Sequence, residues 1–249
     1  MWTLIGYTES QDSATLTGVA ALADQHVRVS GDDITVPRAL PTVIGSAALG
    51  TDITRAQLRS PSLRRVVNFE IMPIGRGAAE PGSPPAVVVF PNNPIPIVGD
   101  ESLNAFAAED GVGATRSTVL VMLADGPVAP VGGEIFTVRV TGATTLTANA
   151  WTNGALTFDQ TLPVGRYQIV GARQESTGLQ AFRFVFVGGL WRPGWLGTDA
   201  AADILTPGQR YGGWGAWGEF DQLTPPTVDW LSNSADAAET GEIDLVKIA

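Results

Sequence analysis

The sequence predicts an all-β fold of antiparallel strands packed as a sandwich or barrel, and three observations carry the prediction. Within Ile135–Thr141, IFTVRVT, apolar and polar residues alternate, which sets one strand face against a core and the other in water. From Gly133 to Gly188 corner signals recur at Asn153-Gly154, Pro163-Val-Gly165 and Gly178, close to the roughly 8–12-residue spacing of sandwich strands. Glycine (29) and proline (17) interrupt nearly every stretch long enough for a regular helix.

Trp2–Thr8 is a first strand or a terminal arm. Ala14–Ala23 fits a short helix or a strand, and its threonines with Gly18 favour strand. His26–Ser30 alternates, Gly31–Asp33 turns, and Ile34–Val36 follows before Pro37 and Pro41 break the pattern. Asp52–Arg59 is expected as a short helix, capped by Thr51 or Asp52 and stopped at Ser60-Pro61. Leu63–Ile74 returns to strand, Arg76–Pro85 is an exposed loop, and Ala86–Phe90 has the composition of a buried strand. Ser102–Glu109 is expected as a second short helix, and Thr115–Leu123 as a strand with the apolar run Val119–Ala124 at its centre.

Asp125–Gly133 is the sharpest break in composition. It joins two β domains, 1–126 and 127–249, or forms a long loop inside one. Beyond it, Leu146–Trp151 and Ala155–Thr161 read as strands around a type I′ turn at Asn153-Gly154, where Gly supplies the positive φ. Arg166–Gly171 and Phe182–Val187 are further strands, Asp199–Leu205 a helical turn, and Glu239–Ile248 a last strand that closes a sheet. No repeat relates the two halves at the level of sequence.

Charged residues make up 16% of the chain, against about 25% in ordinary soluble domains. A surface so lightly charged suits contact with other protein. The net charge is −10, and Arg64-Arg65 is the one basic cluster, which disfavours direct nucleic-acid binding. Of the 15 basic residues all but Lys247 are Arg. With no Cys, disulfides, thiolate metal sites and Cys nucleophiles are excluded. Met1–Glu9 lacks a basic segment followed by an apolar core, so no signal peptide is expected, and no apolar run approaches the ~18 residues of a spanning helix. A soluble protein is the expectation.

Catalytic patterns are sparse. His26 is the sole histidine, with no Gly-x-Ser-x-Gly elbow to serve it, and reads as a strand-edge residue. Gly212–Gly218 lacks the Lys and following helix of a phosphate loop. The carboxylate pairs Asp32-Asp33, Asp100-Glu101, Glu109-Asp110 and Asp199/Asp203 could serve glycoside hydrolysis or hold a structural cation, but none has a calcium-loop pattern. No enzymatic activity and no cofactor are expected. Five of the seven Trp lie between Trp191 and Trp230. Their glycine-rich setting points to a subunit interface built from Trp191, Trp195, Arg210, Tyr211, Trp214, Trp217 and Phe220, since aromatics and Arg are enriched in such surfaces. Trp214 and Trp217 cannot share one face of a strand, so at least one of them is expected to meet another subunit. The competing reading makes Tyr211, Trp214, Trp217 and Phe220 a sugar-stacking platform.

This Cys-free, Gly/Pro/Thr-rich chain of strands resembles the jelly-roll coat proteins of tailless icosahedral viruses, and among them the double jelly-roll major capsid proteins. The resemblance is carried by Ser60–Ile71 (SPSLRRVVNFEI) in the first half and by Thr147–Gly154 (TANAWTNG) and Leu162–Gly171 (LPVGRYQIVG) in the second. It is a resemblance of pattern over the whole chain, without a diagnostic motif. It implies an antiparallel jelly-roll β-sandwich, two of them side by side with short inserted helices, although 249 residues are few for two eight-stranded sandwiches and one larger jelly roll stays open. It further implies homotrimers that build a bacteriophage shell from copies of the chain, with other virion proteins as partners, in a virion assembled in the host cytoplasm. Membrane contact stays open. A carbohydrate-binding or adhesin-like sandwich, and a glycan-acting enzyme with two carboxylates, are the competing functions.

Overall fold

The computed structural model describes every residue except 65–68, 72, 76–87 and 200–208. The chain forms two compact units, Met1–Pro127 and Val128–Ala249. In unit 1 the principal strands are β1 (Trp2–Gln11), β2 (Asp33–Thr35), β3 (Thr42–Gly50), β4 (Ile53–Arg59), β5 (Phe69–Ile71), β6 (Ile95–Pro96), β7 (Ser102–Glu109) and β8 (Thr115–Ala124). They pair antiparallel into two sheets, ordered β1-β8-β3-β6 and β2-β7-β4-β5. That order, first-eighth-third-sixth over second-seventh-fourth-fifth, is the jelly roll, which arises when a long hairpin wraps around a sandwich. The Tyr7 hydroxyl on β1 donates to the Leu103 carbonyl on β7 at 2.8 Å and ties one sheet to the other through the core.

Unit 2 repeats the topology. Its strands are β9 (Ile135–Thr141), β10 (Trp151–Ala155), β11 (Arg166–Ser176), β12 (Leu179–Val185), β13 (Gly194–Leu196), β14 (Gly218–Asp221), β15 (Thr227–Ser232) and β16 (Thr240–Lys247). The sheets run β9-β16-β11-β14 and β10-β15-β12-β13, with each of these neighbours antiparallel, and the two-residue strand Thr198–Asp199 adds to β11 in parallel. The same eight-strand order is thus realised twice, between halves with no legible repeat.

Burial follows the two sheets unequally. In unit 1, β3 from Val43 and β8 from Ser117 are buried at every residue, so both faces of these two central strands are dry. The other sheet alternates, with Leu103, Ala105 and Ala107 in the core and Asn104 and Phe106 outward. In unit 2 the dry sheet is the other one, where β12 is buried from Leu179 to Phe184 and β15 from Val228 to Ser232. On β9, Val138 and Val140 are buried while Thr137, Arg139 and Thr141 face solvent, as the alternation predicts.

Several local expectations are corrected. Residues 52–59 and 102–109 are not helices but the paired strands β4 and β7, in register from Asn104↔Arg59 to Ala107↔Ala56. Both runs are short enough to satisfy either period, and the sheet's ladder overrides helix propensity. Among the described residues the helical insertion is instead Pro61–Arg64, which takes up the first two residues of the strand expected at Leu63–Ile74. Leu146–Trp151 is mostly loop, and His26 lies in a bend before a short strand at Val29–Ser30. The Gly31 and Gly178 turns fall as expected, with φ of 61° and 68°. Of the strand expected at 86–90, Val88–Val89 pairs antiparallel with β3 at Ser46 and Gly45, whereas 86–87, the loop expected at 76–85 and, beyond Asp199, the helical turn expected at 199–205 lie outside the described residues.

Asn153-Gly154 is not a turn. Both residues sit inside β10, opposite Asp229 and Val228 of β15. Glycine is required there by close approach, because a Cβ on Gly154 would lie 2.7 Å from Trp230 Cζ3. We expect Gly154→Ala and Gly154→Asn each to destabilise unit 2 by about 1–3 kcal/mol through overpacking. A thermal melt in which Gly154→Asn equals the wild type would restore the turn, since Asn suits a left-handed position.

Two carboxylates fasten the corners of unit 2 and titrate in opposite senses. Asp236 accepts from the Ser176 hydroxyl (2.7 Å) and the Thr177 amide (2.9 Å), and these bonds hold its carboxyl down at about 2, below its ordinary 3.8. Burial raises Glu239, whose carboxylate accepts from the Thr144 amide at 3.3 Å. A depressed folded pKa contributes stability above the unfolded value that is lost as pH falls, here between about 4 and about 2. A raised one contributes stability below the ordinary 4.5 that is lost as pH rises. Melting temperatures should therefore show Asp236→Asn losing part of the acid-limb slope, and Glu239→Gln gaining on the wild type near neutrality but not below pH 4.5.

Candidate subunit-contact surface

The segment from Leu190 to Phe220 carries all seven side chains expected at an interface, and the structure divides them. Trp195 on β13 is fully buried opposite Phe182. Trp214 meets it edge-on, with ring centroids 5.5 Å apart at 84°. Trp217 stacks on Phe182 at 6.1 Å and 19°, and Phe220 stacks on Tyr167 at 5.7 Å and 28°. These four rings belong to the core of unit 2. Trp191 is half-buried, and Tyr211 stands out at 63% exposure.

Trp214 and Trp217 are not held to opposite faces, because the chain there is not a strand. Residues 211–214 form consecutive turns, with φ of 55° at Tyr211, 77° at Gly212 and 73° at Gly215. Tyr211 and Gly212 turn the chain before the two rings and Gly215 turns it between them, and both rings are buried. At Gly212 a Cβ would collide with the Val131 carbonyl, which explains the glycine. With Trp214 and Trp217 in the core, neither ring is available to a neighbouring subunit or to a stacked sugar, and of the proposed platform Tyr211 is the ring left exposed.

Arg210 fastens this loop to the last strand. Its Nε and Nη2 donate to the two oxygens of Asp244 at 2.6 and 2.8 Å, and Nη1 donates to Glu242 at 2.6 Å. The Tyr211 amide and the Thr137 hydroxyl also donate to Asp244, at 2.9 and 2.7 Å. Asp244 is fully buried. Burial alone would raise its pKa, but these donors outweigh it and hold the carboxyl below the usual range. The same pairing, Asp244 foremost, raises the Arg210 guanidinium. Tyr211 is thereby locked in a conformation that bulky residues rarely adopt, with its ring 5.0 Å from the Arg210 guanidinium carbon.

Unit 2 holds a second buried charge group. Asp229 on β15 accepts from Arg183 Nε at 2.9 Å and Arg192 Nη1 at 2.7 Å, and from Asn153 at 2.8 Å. The Arg183 guanidinium also lies 4.2 Å from the Trp151 ring centroid. Pairs this dry hold the surrounding strands to one arrangement, and removing one partner would leave a buried charge.

One end of unit 2 exposes apolar side chains that the sequence reading missed. Val164 is 84% exposed, Leu223 79% and Ile248 41%. Their segments are laced together, since the Gln222 amide donates to the Gly165 carbonyl at 3.0 Å and the Ile248 amide to Arg166 at 2.9 Å. Val187 and Leu190 are exposed in the loop after β12, whose last residue Val185 pairs with Thr227. Alternation gives no warning of such residues, because they lie in loops and at a terminus. Asp244 was legible in principle, as Glu242-Ile243-Asp244-Leu245 places charge at period two.

Four of the candidate carboxylates have partners of their own, while Asp203 and the side chain of Asp199 lie outside the described residues. Glu109 accepts from Thr115 and Ser117, Asp100 pairs with Arg38, Asp33 with Asn104, and Glu101 with Ser62. Among the described residues no group of three or more potential ligands could hold a metal ion.

No family model matches the chain, and no curated protein matches it. Among solved structures it is similar to the major capsid protein P2 from bacteriophage PM2, at 13% identity and a TM-score of 0.25, over 100% of this chain and 98% of that one. The jelly-roll assignment rests on the strand order of this chain and draws nothing from that likeness.

The burial of the aromatic cluster has a direct consequence. Trp214→Ala combined with Trp217→Ala should destabilise unit 2 by several kcal/mol, about 3 or more for each large ring lost from a core. Circular dichroism melts read the effect. A double variant that melts like the wild type would return these rings to the surface.

Proposed function

We propose that this chain is a structural coat subunit of a virion shell and acts by self-association. The observation that carries the reading is the strand order first-eighth-third-sixth over second-seventh-fourth-fifth, realised twice in one chain. Paired jelly rolls are the architecture of the double jelly-roll capsid proteins that the sequence resembles. The step from fold to role is one of analogy. Two further features support it. The chain is lightly charged, and the end of unit 2 that carries Val164, Leu223 and Ile248 presents apolar groups of the kind that subunit contacts cover. On this reading the partners are copies of the chain, grouped first as trimers and then as a shell, with other virion proteins beside them, and the protein resides in the virion.

Sedimentation velocity and negative-stain microscopy of the purified chain test the proposal, with trimers or larger closed particles expected. A strict monomer at all concentrations would overturn it. Val164→Asp combined with Leu223→Asp should weaken association by about 2 kcal/mol or more, the hot-spot range, with an unchanged circular dichroism spectrum because both side chains are exposed.

A further inference from the structure

We propose that the outward face of the β9-β16-β11 sheet binds a neutral saccharide. The antiparallel registers place Arg139, Glu242 and Arg173 in one row across the three strands, and Thr141, Thr240 and Glu175 in the next. Period-two alternation points these side chains away from the core that holds Val138 and Ile243. Together they line a groove of about 330 Å³, within the range of small-ligand sites.

The groove's chemistry is that of hydroxyl recognition. Glu242 and Glu175 present carboxylate acceptors, and Thr141 and Thr240 present hydroxyls. The Arg139 side chain is exposed and has no partner among the described residues, so a planar fork of donors is free for ligand. Guanidinium and carboxylate groups each engage two neighbouring oxygens or hydroxyls at once, which matches the vicinal diols of a pyranose. Both carboxylates are already oriented, Glu175 by Arg173 at 2.7 Å and Glu242 by Arg210 at 2.6 Å.

An aromatic surface stands beside these polar groups. Arg210 links Glu242 to the exposed Tyr211 ring and lies against it, while Asp244 holds the Tyr211 amide. A ring held in this way offers its face to the apolar C–H side of a sugar at little entropic cost. Charge selects the class of ligand. Within the groove Arg139 and Arg173 balance Glu175 and Glu242, so an anionic sugar would meet two carboxylates without a compensating excess of positive charge.

The inference does not rest on the coat reading. Its test is saturation-transfer NMR and calorimetry on the full chain with methyl glucoside, methyl galactoside, methyl mannoside, N-acetylglucosamine and N-acetylneuraminic acid. At least one of the neutral sugars should bind with a millimolar dissociation constant, and Arg139→Ala and Tyr211→Asn should each weaken it by about tenfold. Arg139 has no partner to lose, and Asn suits the left-handed position of Tyr211, so both variants should melt like the wild type. Failure of all four neutral sugars to bind, preference for N-acetylneuraminic acid, or binding that both variants leave unchanged would each overturn the proposal. A chain that assembles without binding sugar keeps the coat reading alone, and a monomer that binds sugar keeps this one alone.

Discussion

In each unit the last strand lies between the first and the third, and the rest of the architecture depends on that placement. Until β8 arrives, β1 and β3 share no ladder, and the same holds for β9 and β11 before β16. The registers are long: ten residue pairs join β1 to β8, from Trp2↔Ala124 to Gln11↔Thr115. Contacts so distant in sequence carry a loop-closure cost that must be met before burial repays it, which makes each unit a slow, all-or-none structure. The buried hydrogen bond from Tyr7 to Leu103 then couples the two sheets of unit 1. In unit 2 the equivalent closing strand also carries Asp244, so the residue that completes the sheet also fixes the Arg210-Tyr211 loop.

Much of this was legible in the sequence, and the failures have identifiable physical causes. Strands with one wet face announce themselves, as in Ile135–Thr141, and so do buried runs such as Val119–Ala124. Asp52–Arg59 and Ser102–Glu109 read as helices in the sequence because runs of eight residues satisfy helical and strand periods alike, and only the partner strand decides. Asn153-Gly154 misled for another reason. A glycine excluded from bulk by the Trp230 ring is indistinguishable in sequence from one chosen for positive φ. At the candidate site the sequence marks the aromatic cluster as a surface, whereas Trp195, Trp214, Trp217 and Phe220 are buried in unit 2. The inference assumed extended backbone between Trp214 and Trp217, and the positive φ angles at Gly212 and Gly215 remove that assumption.

Tyr211 shows how buried charge organises an exposed group. Its backbone conformation costs on the order of 1–3 kcal/mol for a residue of this size, and it persists because its amide is held by Asp244 while Gly212 is held between Val170 and Val131. Period-two charge on β16 was the sequence signal for this arrangement. Its partner Arg210 lies more than thirty residues upstream, so only the fold reveals the pairing.

The registers also bring the two ends of each unit together. Trp2 pairs with Ala124, the terminal amine meets Asp125 at 2.6 Å, and Ile135 pairs with Val246. Tension applied across a unit through its ends would therefore open the outermost bond first and unzip the ladder pair by pair, rather than load all its bonds in shear. Each jelly roll is mechanically soft along that one line, and a structure that must bear internal pressure would have to route force through its sheets by lateral contacts, leaving the joined ends unloaded.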